Sequence, residues 1–305
     1  MPASNTIDLR DWGLLVLLSV IWGGSFLFVG IAVKDLSPLV IVMARVVIAA
    51  AALLPLLVLY GGELPSGRAS WTAVAGLALL NNILPFILIV SGQTMIASGL
   101  ASVINATTPL FGTAFIALAG GERIVARKVL GIAIGIAGVA VLKGATIFDA
   151  GGQSLGILLC LAAAASYGLG SLWAKKTLHG IPALSAATGQ LLISSGVMLV
   201  LGFAFDNPAT LLKASGATWA ALLGLALVAT SFAYIIFFRV VARAGPANVL
   251  LVTMMIPLSA IIMGYAVLNE TLEVREIIGA LIIIGALVII DGRALAFLRG
   301  GNTPA

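Results

Sequence analysis

The chain has 305 residues, 61% of them hydrophobic and only 9% charged, with a mean hydropathy of +1.20. An ordinary soluble domain is about 25% charged, so the acidic and basic residues here are too few to coat a water-facing surface, and the exterior must meet lipid. The formal net charge of +5 does not point to nucleic acid, because the lysines and arginines lie scattered at the ends of apolar runs and form no basic stripe.

Apolar runs of about 20 residues separated by short polar or Gly/Pro breaks mark spanning helices. Ten are expected, over residues 12–33, 38–60, 71–92, 97–119, 125–142, 154–174, 182–205, 218–238, 245–268 and 277–297. The first is longer than the apolar core of a secretory signal and nine more follow it, so it reads as an uncleaved helix.

Starting inside, the cytoplasmic segments would hold Arg10, Arg68, Arg123, Arg127, Lys128, Lys175, Lys176, Arg239, Arg243, Arg293 and Arg299. The opposite side would hold Lys34, Lys143, Lys213 and Arg275, leaving Arg45 inside a span. That bias follows the positive-inside rule and puts both termini in the cytoplasm of a plasma membrane, the inner membrane if the cell is bacterial.

The two halves of the chain look alike. A shift of 148 carries Gly76-Leu77-Ala78-Leu79 onto Gly224-Leu225-Ala226-Leu227, Pro109 onto Pro257, Glu122 onto Glu270, Gly131 onto Gly279 and Gly144 onto Gly292. Nearer the start of each half a shift of 145 takes Trp22-Gly23 to Tyr167-Gly168 and Arg45 to Gln190. Residues 1–148 and 149–305 are therefore read as two five-helix repeats forming one membrane domain. Because five is odd, the second copy enters from the opposite side, giving an all-α integral membrane fold of ten helices in two inverted repeats. Secondary transporters use that arrangement, with two halves alternating around a midplane site.

Chemistry-bearing residues are sparse. Cys160 lies in an apolar run and reads as core, while His179 sits beside Gly180 and Pro182 in a loop, so neither disulfide, zinc nor serine-histidine chemistry is indicated. The acidic residues fall at positions 8, 11, 35, 63, 122, 149, 206, 270, 273, 276 and 291, all at or beyond span ends. A proton-coupled carrier usually keeps an ionisable group mid-membrane, so coupling through a buried carboxylate is not expected. Glu122 and Glu270 precede the fifth helix of each repeat and read as N-terminal caps, with gating as the alternative. Gly131, Gly135 and Gly138 give the fifth helix a small-residue face, for close packing or for a dimer contact.

Polar groups at mid-span are costly unless bonded to a neighbour or a ligand. Asn81 and Asn82 occupy the middle of the third span, and Thr230 and Ser231 the middle of the eighth. Phe86 and Tyr234 lie a turn further on, with Trp22 and Tyr167 at matched positions in the opening helices and Asn105 in the fourth span. Arg45, seven residues past Pro38, lies about 10 Å along its helix, from where it can snorkel to headgroups or turn inward to hold a carboxylate. These ten residues are the candidate substrate site, suited to a neutral or zwitterionic metabolite with an apolar side chain. The alternative is that the amides only bond helix to helix.

The stretch PLFGTAFIALAGGERIVARKVLGIAIGIAGVAVLKG, residues 109–144, and its counterpart at 257–292 resemble the closing half of an EamA repeat of the drug/metabolite transporter superfamily. So do the cluster Trp22-Gly23-Gly24-Ser25 and Arg45 in the second helix, although the second copy has Gln190 where the pattern has arginine. The resemblance implies export of small metabolites, amino acids foremost, and the residues themselves offer no catalytic set, no metal site and no cofactor site. Its partners would be the substrate and the bilayer, as a monomer or a dimer.

Overall fold

The computed structural model describes residues 9–119, 126–143, 152–244 and 246–291. They form helices, with no strand among the described residues. The first half holds α1 (Leu9–Ala32), α2 (Pro38–Leu59), α3 (Gly67–Ala78), a π-helical segment Leu79–Ile83, α4 (Leu84–Gln93), α5 (Ser98–Asn105), α6 (Thr108–Leu118) and α7 (Ala126–Lys143). The second half holds α8 (Gly152–Thr177), α9 (Ala183–Phe205), a 3₁₀ turn Pro208–Lys213, α10 (Gly216–Leu223), a π-helical segment Gly224–Phe232, α11 (Ala233–Ala244), α12 (Pro246–Leu268) and α13 (Val274–Asp291).

Among the described residues, seven segments are long and apolar enough to cross a bilayer: Arg10–Ala32, Pro38–Leu59, Gly67–Gln93, Ser98–Leu118, Gly152–Thr177, Ala183–Phe205 and Gly216–Phe237. Val252–Leu268 is a shorter apolar stretch within α12, and α7 and α13, at 18 residues each, reach about 27 Å. Seven of the ten expected spans thus meet the length and apolarity of a crossing helix among the described residues, and the expected 125–142, 245–268 and 277–297 fall on the shorter or less apolar α7, α12 and α13. The eighth runs on through α11 to Ala244, which places Arg239 and Arg243 within the helix.

Local chemistry explains the starts and breaks. Ser37 caps α2 through its hydroxyl, with Pro38 in the first turn, where a missing N–H costs nothing. Ser215 caps α10 in the same way. At α13 the Glu276 carboxylate reaches back to accept the N–H of Glu273 at 2.9 Å, one half of a capping box. Pro109 opens α6, and the fourth span is interrupted before it at Ala106–Thr107, since proline can neither donate to the preceding turn nor clear its carbonyl. Its repeat counterpart, Pro257, stays inside α12.

The third and eighth spans share a rarer feature. Both widen into π-helix, over Leu79–Ile83 and Gly224–Phe232, and a shift of 148 carries the first segment into the second. Pro85 accounts for the first, since widening the turn relieves the clash with the carbonyl four residues back. In the second, the hydroxyls of Thr230 and Ser231 donate to the carbonyls of Leu225 and Ala226, five residues back, at 2.8 and 3.1 Å.

Helices of the two halves pack on one another: α1 against α12, α2 against α9, α8 against α4 to α6, and α7 against α13. The glycine face of α7 is a packing face. A Cβ on Gly131 would stand 2.4 Å from Ile290 Cγ1, one on Gly138 2.9 Å from Ile283 Cγ1, and one on Gly279 2.8 Å from the backbone of Leu142. Gly135 points instead at Leu110 of α6. Large apolar side chains such as Leu158, Val200, Phe203, Ile262 and Leu281 stay exposed around the bundle, as a lipid-facing surface requires.

Candidate functional site

Arg45 points into the bundle. Its guanidinium carbon lies 3.6 Å from the centroid of the Phe86 ring, and its Nε donates to the Thr230 hydroxyl at 3.0 Å. Phe86 is on α4 and Thr230 on the second π segment, so the arginine ties together three spans from both halves. Stacking on an aromatic face offers a desolvated guanidinium about 2 kcal/mol, which does not replace the hydration lost on leaving water. The Tyr167 and Tyr234 phenols are close enough to interact with its charge.

Tyr234 donates to Asn82 Oδ1 at 3.2 Å. Asn82 is fully buried, and its Nδ2 has no acceptor among the described residues, an omission that costs about 1–3 kcal/mol. Arg45, Asn82, Phe86, Tyr167, Thr230 and Tyr234 therefore form one cluster, in which Asn82 pairs with Thr230 and Phe86 with Tyr234 across the 148 shift. Arg45, Tyr167 and Tyr234 sit deep in the bundle yet keep some accessible surface. Trp22 packs instead on Phe237 of α11, the two ring centroids lying 5.7 Å apart. Phe237 was not among the candidates; its spacing three residues beyond Tyr234 on one helix face was the available signal.

The other candidates go elsewhere. Asn81 faces α8, where its Oδ1 fills the space beside Gly170. Ser231 donates to Ala49 O of α2 at 3.1 Å as well as to its own helix, a helix-to-helix tie. Asn105 ends α5 at the break before Pro109, with a buried Oδ1 lacking a partner among the described residues, and no contact joins it to the cluster. Gln190, the counterpart of Arg45, likewise holds an unpartnered buried Oε1. Cys160 is buried in α8 against Gly92.

Two clefts lie away from the cluster. An apolar groove of about 420 Å³ between α6, α7 and α8 is lined by Phe111, Phe115, Ile136 and Leu161. Almost wholly apolar and open toward lipid, it has nothing to orient a metabolite. A second cleft, about 370 Å³, lies between the α2–α3 and α8–α9 connections around Tyr60, Glu63 and Ser185.

One face of the bundle is fastened by carboxylates. Glu270 accepts the backbone N–H and the hydroxyl of Ser98 at 2.9 and 2.6 Å, and the N–H of Gly99 at 3.3 Å. It thus caps α5 of the first half, not α13, which corrects the expected local cap; Glu122 lies outside the described residues. On the same face Asp35 accepts the Thr218 hydroxyl at 2.6 Å and the Ser215 N–H at 3.0 Å, and those bonds hold its carboxyl down at about 2. Ser37 donates to Asp206, and Gln153 to Glu276. No sequence signal marked these interlocks, whose partners lie more than a hundred residues apart.

The sequence profile of the EamA-like transporter family matches residues 12–143 and again 154–291. The chain belongs to the EamA-like transporter family. It is a multi-pass membrane protein and a transporter of this type. It is similar to the uncharacterized transporter YoaV of Bacillus subtilis (strain 168), 23% identical over 270 residues, 88% of this chain and 92% of that one. It is 28% identical over 264 residues to the uncharacterized inner membrane transporter YedA of Escherichia coli (strain K12), covering 86% and 84%. A probable amino-acid metabolite efflux pump of Salmonella typhimurium is 26% identical over 284 residues, 90% and 92% of the two chains. A solved crystal structure, 17% identical, superposes with a TM-score of 0.66 over 93% of this chain and 98% of that one, so the fold is shared with a protein seen by experiment.

Proposed function

We propose that this transporter exports small metabolites by alternating access around the Arg45 cluster, with amino acids bearing aromatic or other apolar side chains the first class to test. The observation that carries the reading is the inward arginine, stacked on Phe86 and bonded to Thr230 from the opposite half. A charge is retained at such depth for a task. Around it Asn82, Tyr167 and Tyr234 supply oriented polar groups among aromatic walls, the make-up of a small-molecule site.

The ten helices act as two five-helix repeats of opposite orientation in a bacterial inner membrane, with both termini cytoplasmic. The doubled family match, the paired π segments and the cross-half helix pairs support that arrangement. Helix irregularities at repeat interfaces are where transporters place their substrate. The carboxylate interlocks lie on the face opposite the one rich in basic residues, so on this topology the outer side is fastened. The α7 and α13 glycines are spent on internal packing, which favours a monomer over a dimer formed through that face.

The efflux-pump relative favours amino acids over other cargo. The competing reading is a carrier of a different small metabolite or a drug. An intramembrane enzyme is the remote rival, because the cluster pairs no nucleophile with a base. Counterflow of a panel of amino acids into proteoliposomes tests the proposal: exchange of an apolar or aromatic amino acid supports it, and a panel without exchange removes the amino-acid reading.

A further inference from the structure

The charge balance of the interior narrows the substrate further. Arg45 has five N–H donors. One goes to Thr230, and among the described residues none of the remaining four meets an acceptor. No carboxylate lies within 4.0 Å of it among those residues. The described acids sit at helix ends, and those facing the bundle are occupied: Glu270 by Ser98 and Gly99, Asp206 by Ser37, Glu276 by Gln153 and Glu273, and Asp11, buried in the first turn of α1, by a partner of its own. Tyr167 and Tyr234, which face Arg45 from α8 and α11, are neutral phenols. The described interior of the site therefore holds one positive charge and no negative one.

Next to that charge a further donor is idle, the Nδ2 of the fully buried Asn82. It is joined to the arginine's surroundings through Tyr234. Unused donors beside an uncompensated guanidinium make a receptor for an acceptor-only, negatively charged group, and a carboxylate meets a guanidinium with two parallel bonds. A zwitterion fits this inventory less well. Its ammonium would need an acceptor here, yet the carbonyls at Leu225 and Ala226 in the π segment are taken by the Thr230 and Ser231 hydroxyls. The unpartnered amide oxygens of Asn105 and Gln190 carry no charge to offset the guanidinium. Only a substrate of net charge −1 leaves the loaded interior neutral.

Resting on the transport reading above but replacing its amino-acid cargo, we propose that the species carried is a monoanionic carboxylate, one without a free ammonium, held at Arg45 and Asn82, and that its passage is electrogenic. Over a full cycle the protein returns to its starting state, so the net charge moved is the substrate's own. An inside-negative potential then pushes such an anion outward. Export is driven without a proton site, which matches the placement of the acidic residues at span ends.

Three probes sharing one aromatic ring test this with purified protein in phosphatidylcholine liposomes: phenylpyruvate (anion), phenylalanine (zwitterion) and phenethylamine (cation). With a potassium gradient of about tenfold clamped by valinomycin, phenylpyruvate should redistribute about tenfold against the negative interior, above protein-free controls. Phenylalanine should exchange at least tenfold more slowly, by order of magnitude, and phenethylamine not at all. Arg45→Gln should lose phenylpyruvate transport by more than about tenfold, with Arg45→Lys ranking between it and the wild type. Phenylalanine carried as fast as phenylpyruvate, or phenylpyruvate carried equally by Arg45→Gln of unchanged melting temperature, overturns the charge assignment and leaves the transport reading standing. If neither these probes nor any amino acid is carried by the wild type, both fall.

Discussion

Glu270 and Ser98 are joined twice, Oε1 accepting the Ser98 N–H at 2.9 Å and Oε2 its hydroxyl at 2.6 Å, across 172 residues of sequence. The turn that delivers the carboxylate is set by Asn269, whose φ of 56° is the only positive one at a non-glycine residue among those described. Asparagine tolerates that left-handed conformation at a helix C-terminus, and the Glu270 N–H then returns to Gly264 O at 3.1 Å. Gly264 also leaves room for the join: a Cβ there would stand 2.6 Å from Glu270 Oε2 and 2.9 Å from Ser98 Oγ.

Hydrogen bonds to a charged acceptor are worth about 1.5–3 kcal/mol. Glu270→Gln and Gly264→Ala should each lower stability by about 1–3 kcal/mol, with Ser98→Ala costing less because the two N–H bonds survive. Thermal unfolding in detergent checks this; unchanged melting in both Glu270→Gln and Gly264→Ala would show that the contact does not hold in solution.

The seam between α7 and α13 offers a second test. Gly279→Ala places a methyl 2.8 Å from the Leu142 backbone, which cannot yield as a side chain can, so overpacking should cost about 1–3 kcal/mol. The expected result is a lower melting temperature at unchanged oligomeric size. A change in oligomer mass without loss of stability would instead assign these glycines to an interface between copies.

Much of the fold was legible in the chain. Spans such as Pro38–Leu59 and Ala183–Phe205 follow from apolar length alone, and the repeat offset of 148 sets Thr230 opposite Asn82 in the two halves. Arg45 left two directions open, and its choice rests on Phe86 and Thr230 coming close, which sequence periodicity cannot show. Asn81 and Asn82 read alike in the sequence, but adjacent helical residues point about 100° apart, and the Asn81 amide turns to Gly170 of α8. The cap on α5 was out of reach, because the sequence offers only the local helix as a partner for Glu270.

Asp35 gives a pH prediction. Its carboxyl, held at about 2 by Thr218 and Ser215 against an unfolded value of 3.8, contributes stability that is complete above the unfolded value and fades as pH falls toward 2. The melting difference between wild type and Asp35→Asn should stay constant from about pH 8 to pH 5 and narrow only below about pH 4. A difference that closes between pH 7 and pH 5 would contradict the hydrogen-bonded, ionised state.

Topology rests on the basic residues, eleven on one side against four on the other. A phosphatase fusion after Ala305 should be inactive and a fluorescent-protein fusion bright, reporting a cytoplasmic C-terminus. An active phosphatase would reverse the orientation and place the carboxylate interlocks on the inner face.

Transport by cluster variants in proteoliposomes bears most directly on the central site. Asn82→Ala removes both the idle donor and the acceptor of Tyr234, and Tyr234→Ala empties one wall. Each should cut counterflow of the identified substrate by about tenfold, the scale of one lost hydrogen bond of about 1.4 kcal/mol. Melting temperatures should stay within a few degrees of wild type, while Ser231→Ala, aimed at the α2 backbone, should transport nearly normally. Normal counterflow in both cluster variants, or losses that track their melting temperatures, would contradict a substrate site between Arg45, Asn82 and Tyr234.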